Sequence, residues 1–429
     1  MKYMPVSSRL FIENRKRFVK KLKTNSLAIF NSNDIMPTSA DGTMAFIQNT
    51  DLFYLSGIDQ EESILLLFPD APNPIHREIL FLKETNEHIA IWEGHKYTKA
   101  EAIATSGIQT VYWLSMFPVI LNTLMGETEK VYLNTNEHSR AVVEVETREA
   151  RFVKWCKEKY PLHSYRRSAP IMQELRAIKS KAEVDLIQHA CNITEKGFRR
   201  VLKFVKPGVW EYEIEAELIH EFIRNRSRGF AYGPIIASGA NACVLHYTQN
   251  NQQCKDGDVI LLDVAAEYGN YASDLTRCVP VNGTFTKRQR AVYDSVLRVM
   301  KGATALLKTG NKLETYHAEV GELMEEELIK LKLLKLADVR KQDPANPLYK
   351  KYFMHGTSHY LGLDVHDVGS RHRTFEEGMV YTCEPGIYIP AENLGIRLEN
   401  DILITGRGPV DLMQKIPLEA EAIEELMHS

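Results

Sequence analysis

No apolar run in the 429 residues approaches the roughly 20 needed to cross a bilayer, and the N-terminus MKYMPVSSRLFIENRKRF has no apolar stretch of signal-peptide type. A surplus of one charge is missing too. Lys and Arg number 53 against 56 Asp and Glu, a formal net charge of −3, so nothing pulls the whole chain toward nucleic acid or an anionic membrane. Cys156, Cys191, Cys243, Cys254, Cys278 and Cys383 show no CxxC spacing, which argues against a zinc ribbon or a disulfide framework. Reduced thiols in a cytoplasmic chain, with no membrane and no nucleic-acid partner, are the expectation. What is present is an ordinary globular composition, 44% apolar and 25% charged, in a chain too long for one ordinary core. Two domains are expected.

The first half reads as α/β. Residues 9–23, RLFIENRKRFVKKLK, suggest a basic helix with Leu10, Phe11, Phe18 and Leu22 on one side and a solvated charged face. LAIFNSN, FYLSGI, ESILLLF, REILFLK and KVYLN read as strands. Thr98 to Glu101 has the form of a capping box, and AVVEVETREARFVKWCKEKY reads as one long helix. A polar, Pro-flanked segment near Tyr160–Pro170 marks the boundary, giving domains 1–165 and 170–429.

The second domain repeats its own organisation. Capping boxes at Ser180–Glu183 and Thr286–Gln289 each open a helix, and each is followed by a second helix, 211–227 and 313–335. A histidine-bearing segment and two strands then follow in each half, 258–266 with 270–279 and 378–389 with 395–404. The order helix, helix, histidine segment, acid-bearing hairpin predicts a pseudo-twofold pair of halves meeting at one central site.

That site collects unusual residues. His355-Gly-Thr-Ser-His359-Tyr-Leu-Gly-Leu-Asp364-Val-His366 places three histidines in twelve positions, with Asp263 and Asp274 upstream and Glu384 and Glu399 downstream. A turn at Tyr268-Gly269 would pair Glu267 with Asn270 and set Asp263 directly opposite Asp274. Like charges so placed are destabilising without a cation, and the apolar run VILLDVAA argues that this strand is buried. A six- or seven-residue loop around Pro390–Leu394 would likewise bring Glu384 across from Glu399. In IRLENDI the period of two puts Arg397, Glu399 and Asp401 on one face and turns Asn400 away. Arg397 is readable equally as a partner of a ligating carboxylate or as a plain salt bridge. Four carboxylates and one imidazole form a hard site that two divalent cations would neutralise, Mn²⁺ first, with Co²⁺, Zn²⁺ or Fe²⁺ as alternatives.

These stretches resemble the metallopeptidases of the pita-bread fold, and within them the aminopeptidase P (Xaa-Pro aminopeptidase) family. The resemblance is loose over both domains and tight over 236–280 (IASGANACVLHY, LLDVAAEYGNYASDLTR, PVNGTF) and 355–404 (HGTSHYLGLDVHDVG, GMVYTCEPGIYI, GIRLENDI). It implies a creatinase-like N-terminal domain, an α+β pita-bread catalytic domain and two metals. It carries Asp263, Asp274, His359, Glu384 and Glu399 over as ligands, Asp274 and Glu399 as the bridging pair and Glu384 also as general base. His246, His355 and His366 match histidines that position substrate or stabilise the tetrahedral intermediate. Tyr388 matches an active-site tyrosine and is counted with Arg397 and those histidines as substrate-binding; Tyr232 is a weaker match. Many relatives have Asp-Ala-Gly where this chain has Asp263-Val264-Ala265, so an extra methyl on the metal face is expected to narrow the pocket.

The implied activity is an exopeptidase that releases the first residue from peptides with proline second, in a homo-oligomer (dimer or tetramer). The nearest rival is a prolidase restricted to Xaa-Pro dipeptides, which the HGTSH form disfavours against the HGLGH or HRTGH forms. Methionine aminopeptidase is disfavoured by the long N-terminal domain. A different class, a metal-free pita-bread binding protein, is disfavoured by retention of all five ligands.

Overall fold

Residues 2–429 are described by a computed structural model in which the chain divides into two units, Tyr3–Leu175 and Arg176–Ser429. In the first unit, strands β1 (Ser26–Asn31), β2 (Ile64–Leu67), β3 (Glu78–Leu82), β4 (Thr110–Trp113), β5 (Lys130–Leu133) and β6 (Ser164–Arg167) form one mixed sheet. Its order is β4-β3-β2-β1-β5-β6. β1 pairs antiparallel with β2 and parallel with β5, so the central strand is wholly buried. Leu27, Ile29, Leu66, Phe81, Leu121 and Leu124 pack into the core on one side. Each such apolar side chain contributes about 1.5–3 kcal/mol by leaving water.

Three expectations for this unit fail. FYLSGI is not a strand; Thr50–Ser56 is a helix, capped by Asn49, whose side chain accepts from the Asp51 and Leu52 N–H groups. Gly57, at φ +70°, closes that helix in the left-handed conformation a glycine adopts freely. A short apolar run cannot itself distinguish the two structures, and the Asn cap with a following Gly was the deciding signal. The long helix after Ala141 begins only at Arg148, where Thr147 caps it. The N-terminal helix spans Ser8–Val19, and its basic face is not all solvated. Arg15 is buried, bonded to Glu78 and to the carbonyls of Leu55 and Ser106.

The second unit has the expected two-part plan. Ser180 and Thr286 both form complete capping boxes, opening helices Lys181–Phe204 and Lys287–Leu306. Glu211–Arg224 and Leu313–Lys330 follow them. The first half contains strands β7 (Ile235–Ser238), β8 (Val259–Asp263), β9 (Glu267–Tyr268), β10 (Tyr271–Ala272) and β11 (Thr276–Pro280). The second contains β12 (Val380–Cys383), β13 (Gly386–Ile389), β14 (Leu394–Arg397), β15 (Asn400–Thr405) and β16 (Gly408–Asp411). Each half thus has a three-stranded sheet, β11-β8-β7 or β12-β15-β16, continued by a two-stranded ribbon, β9-β10 or β13-β14. A bridge between Thr276 and Glu399 joins the halves, with the Glu399 N–H donating to the Thr276 carbonyl at 3.0 Å. Among the described residues, no helix is long and apolar enough to cross a membrane.

Candidate active site

Every one of the four acids stands where a long hairpin strand is interrupted. Asp263 ends β8, Asp274 lies between β10 and β11, Glu384 between β12 and β13, and Glu399 between β14 and β15. The four strands expected as continuous are therefore each broken at a carboxylate.

The pairing of the first two acids differs from the direct opposition expected. Asp263 faces Thr276, and Glu267 faces Ala272. The turn is Gly269-Asn270, at φ +60° and +68°, one residue later than anticipated. Both turn residues then have the positive φ that a two-residue type I′ connection requires. Moving the turn by one residue moves the pairing by two, which preserves the face and sets Asp274 diagonal to Asp263. Diagonal neighbours stand roughly 7–8 Å apart at Cα, room enough for a cation between carboxylates. For the second pair the structure puts Ile389 against Leu394 and Cys383 against Asn400, so Glu384 and Glu399 occupy opposed positions. The connecting loop is four residues, shorter than the expected six or seven.

Ligand atoms of Asp274, His359 and Glu399 all lie within 4.8 Å of one another. His359 Nε2 stands 3.5 Å from both Asp274 Oδ2 and Glu384 Oε1. Its Nδ1 lies 2.9 Å from the Tyr360 carbonyl, which can only accept, so Nδ1 carries a proton and Nε2 is the nitrogen turned to the acids. Asp263 is joined to the cluster through Arg397, whose Nη2 bonds Asp263 Oδ2 while Nε reaches Thr276 Oγ1 at 3.1 Å and Nη1 reaches Tyr388 Oη at 2.9 Å. Tyr388 continues the chain to His355 Nε2 at 2.8 Å. His355 Nδ1 lies 2.8 Å from the Gly356 carbonyl and 3.6 Å from Glu384. His366 packs edge-on against His359 with ring centres 4.4 Å apart. His246 and His366 are both exposed, and His246 is close enough to His355 to oppose its protonation. Ala265 is fully buried, and Asn400 faces Arg277 and Asp411, away from the cluster.

Several supporting residues escaped the sequence. The Thr276 hydroxyl donates to Glu399 Oε2 at 2.6 Å. Thr382 Oγ1 accepts the His359 N–H and lies 3.4 Å from Glu384 Oε1, to which it donates. Asp401 accepts the Asp274 N–H at 3.0 Å and the Cys191 thiol at 3.4 Å. The hydroxyl of Tyr232, the weaker match, bonds Asp263 and accepts the Leu275 N–H at 3.4 Å. Only the SDLTR stretch hinted at Thr276, by setting it two residues from Asp274 and hence on the same face.

The donor set suits divalent cations. Asp263 Oδ1 is buried with no hydrogen-bond partner among the described residues, an arrangement a cation would satisfy. Burial raises Glu384 above the ordinary carboxyl range, to about 7, with Asp274 and Asp263 adding to the effect of burial against His359 and Arg397. Burial and then the Asp274, Glu384 and Asp263 charges hold Glu399 well above the usual value. Burial opposes protonation of His359, but its bond to Asp274 and the charge of Glu384 outweigh that and lift it to about 9. Without cations, both Glu384 and His359 therefore favour protonated folded forms. The stability they give is complete below pH 4.5, the ordinary value for Glu384, and is lost as pH rises through about 7 and then about 9. Chelated protein should accordingly show a melting temperature that falls between pH 5 and 9, while Mn²⁺-loaded protein loses far less. Parallel melting curves of the two forms across this range would contradict the cluster.

The comparisons with known proteins agree with this geometry. Residues 185–406 match the family model described as metallopeptidase family M24, and residues 11–132 match the aminopeptidase P N-terminal domain. The chain is 34% identical over 435 residues to the Xaa-Pro aminopeptidase of Escherichia coli, covering 98% of each. It is 32% identical to human Xaa-Pro aminopeptidase 3, covering 94% of this chain and 81% of that one. Among solved structures, a variant of E. coli aminopeptidase P in complex with substrate superposes with a TM-score of 0.88 at 33% identity, covering 99% of both chains. A zinc-substituted form of the same enzyme in complex with product gives the same values. With an N-terminal α/β unit of one matched kind preceding a two-part acid-lined domain of the other, the chain belongs to metallopeptidase family M24, as a metalloaminopeptidase of the aminopeptidase P type.

Proposed function

We propose that this enzyme hydrolyses the first peptide bond of peptides with proline in second position, using two divalent cations held by Asp263, Asp274, His359, Glu384 and Glu399. Mn²⁺ is the favoured ion, with Co²⁺, Zn²⁺ and Fe²⁺ as alternatives. Residues 170–429 act as the catalytic domain and 1–165 as the creatinase-like domain, in a cytoplasmic homo-oligomer, a dimer or tetramer. The observation that carries this reading is the approach of Asp274, His359 and Glu399 to within 4.8 Å, with Glu384 3.5 Å from the same imidazole nitrogen.

When bound, the cations supply Lewis acidity, lowering the pKa of a water and polarising the scissile carbonyl. Glu384, half-buried and 3.5 Å from His359 Nε2, accepts the proton of the attacking water and returns it to the leaving proline nitrogen. His355 is held neutral: burial and then Arg397 lower it to about 4, so at pH 7 its Nε2 accepts a hydrogen bond from the Tyr388 hydroxyl. That contact fixes the ring beside Glu384. His246 and His366, both exposed, act as donors of hydrogen bonds to a substrate oxygen, the contribution an oxyanion needs. A peptide bond to proline has no N–H. A site without an acceptor for that N–H leaves about 1–3 kcal/mol unsatisfied for other residues but nothing for proline.

The test is kcat/KM for Xaa-Pro, Xaa-Pro-Yaa, a longer Xaa-Pro peptide and Xaa-Ala-Yaa under Mn²⁺. Tripeptide and longer substrates should be cleaved, with Xaa-Ala-Yaa slower by roughly tenfold or more, the equivalent of about 1.4 kcal/mol. Cleavage of the dipeptide alone would make the enzyme a prolidase, and cleavage of none would leave a binding protein.

A further inference from the structure

Outside the acid cluster, the second unit buries a separate set of charges. Asp367 is 4% exposed, and its two oxygens are divided between two cations, with Oδ1 on Arg176 and Oδ2 3.0 Å from Lys179 Nζ. Arg176 and Lys179 are themselves 2% and 5% exposed. Arg176 also reaches Asp364 Oδ2 at 2.7 Å. The fit is tight: a Cβ at Gly362 would fall 2.1 Å from Asp367 Oδ2 and 2.9 Å from Lys179 Cε, so glycine is the residue that admits the carboxylate. Lys179 is in turn anchored through its N–H to the Gly378 carbonyl at 2.8 Å.

Two of them, Asp364 and Asp367, flank His366 in the chain, and Arg176 and Lys179 hold those two. The His366 ring packs edge-on against His359, and the placing of its backbone sets how the two rings meet. That backbone is fixed on both sides: Asp364 by Arg176, and Asp367 by Arg176, by Lys179 and by its own N–H on the Tyr360 carbonyl at 2.9 Å. Tyr360 adjoins His359, against which the His366 ring stands edge-on. A buried pair over-determines geometry because freeing either partner leaves an uncompensated charge.

We propose that Arg176, Lys179 and Asp367 are positioning residues that aim His366 at the substrate. The proposal rests on the reading of His366 as a substrate-facing residue. Its test uses Mn²⁺-loaded full-length enzyme, with Lys179→Met made in wild-type and in His366→Ala backgrounds. Metal content, melting temperature, kcat and KM on an Xaa-Pro-Yaa tripeptide are measured for each. In the wild-type background Lys179→Met should lower kcat by about tenfold to a hundredfold, the scale of a small misplacement of a reacting group. Metal content should not change, and KM should move little. In His366→Ala the same change should cost less than about twofold, because the residue it aims is gone. Where Lys179→Met yields no folded enzyme, Asp364→Asn serves instead, since that carboxylate is 43% exposed and the buried pairs stay intact. It should lower kcat by a few-fold in wild-type and not at all in His366→Ala. Equal losses in both backgrounds, or no loss in wild-type, overturn the proposal while leaving the function intact. Normal kcat in His366→Ala alone overturns the reading of His366 and the positioning role with it.

Discussion

Glu384→Gln is expected to lower kcat on an Xaa-Pro-Yaa tripeptide by about 10²–10⁴-fold, the contribution of a positioned general base. The amide keeps the shape and one oxygen of the carboxylate, so metal content should fall far less than turnover. Glu399→Gln should behave differently. Glu399 is 2% exposed and receives the Thr276 hydroxyl on Oε2, in a position shared with Asp274 and His359. Altering it should lose metal and activity together, and added Mn²⁺ should restore part of the activity. Metal analysis and steady-state kinetics on both variants decide the matter. Near-normal activity in both, at equal metal occupancy, would remove the proposed roles.

Local chemistry was legible in the sequence, and long-range pairing was not. The capping boxes at Ser180 and Thr286 depend on residues three apart, and both form as read. The acids announced themselves as carboxylates inside apolar runs, where an unpaired charge is expensive. The failures share a cause. A turn at Tyr268-Gly269 sets Asp263 opposite Asp274, and only the positive φ at both Gly269 and Asn270 moves the turn one residue on. FYLSGI, residues 53–58, has the apolar content of a strand, and only the Asn49 cap ahead of it marks the helix. Arg15 appeared as one of several solvated cations, since nothing nearby in the sequence names Glu78 or Ser106 as its partners. Thr276, Thr382 and Asp401 carry no signal as residue types. Their importance comes from contacts with Glu399, Glu384 and Asp274 that the folded hairpins create.

Arg397 shows how one such contact should be felt in stability. It was readable as a partner of a ligand or as a salt bridge, and the structure makes it a bracket, with donors on Asp263, Thr276 and Tyr388 at once. Its side chain is 5% exposed and that of Asp263 14%, so the pair lies largely out of water. Removing one partner of a buried pair costs about 3–5 kcal/mol, because the charge left behind has no compensation. Arg397→Met keeps the length and the apolar stem while deleting the guanidinium. In chelated protein Asp263 then loses its only paired cation among the described residues, and a destabilisation of about 3–5 kcal/mol is expected. In Mn²⁺-loaded protein the cations neutralise Asp263 themselves, so the same substitution should cost clearly less. Activity should still fall, since Tyr388 loses the donor that orients its hydroxyl toward His355. Denaturant titrations of wild-type and Arg397→Met, with and without Mn²⁺, measure the difference directly. An equal cost in both forms would show that Asp263 does not share its charge with a metal.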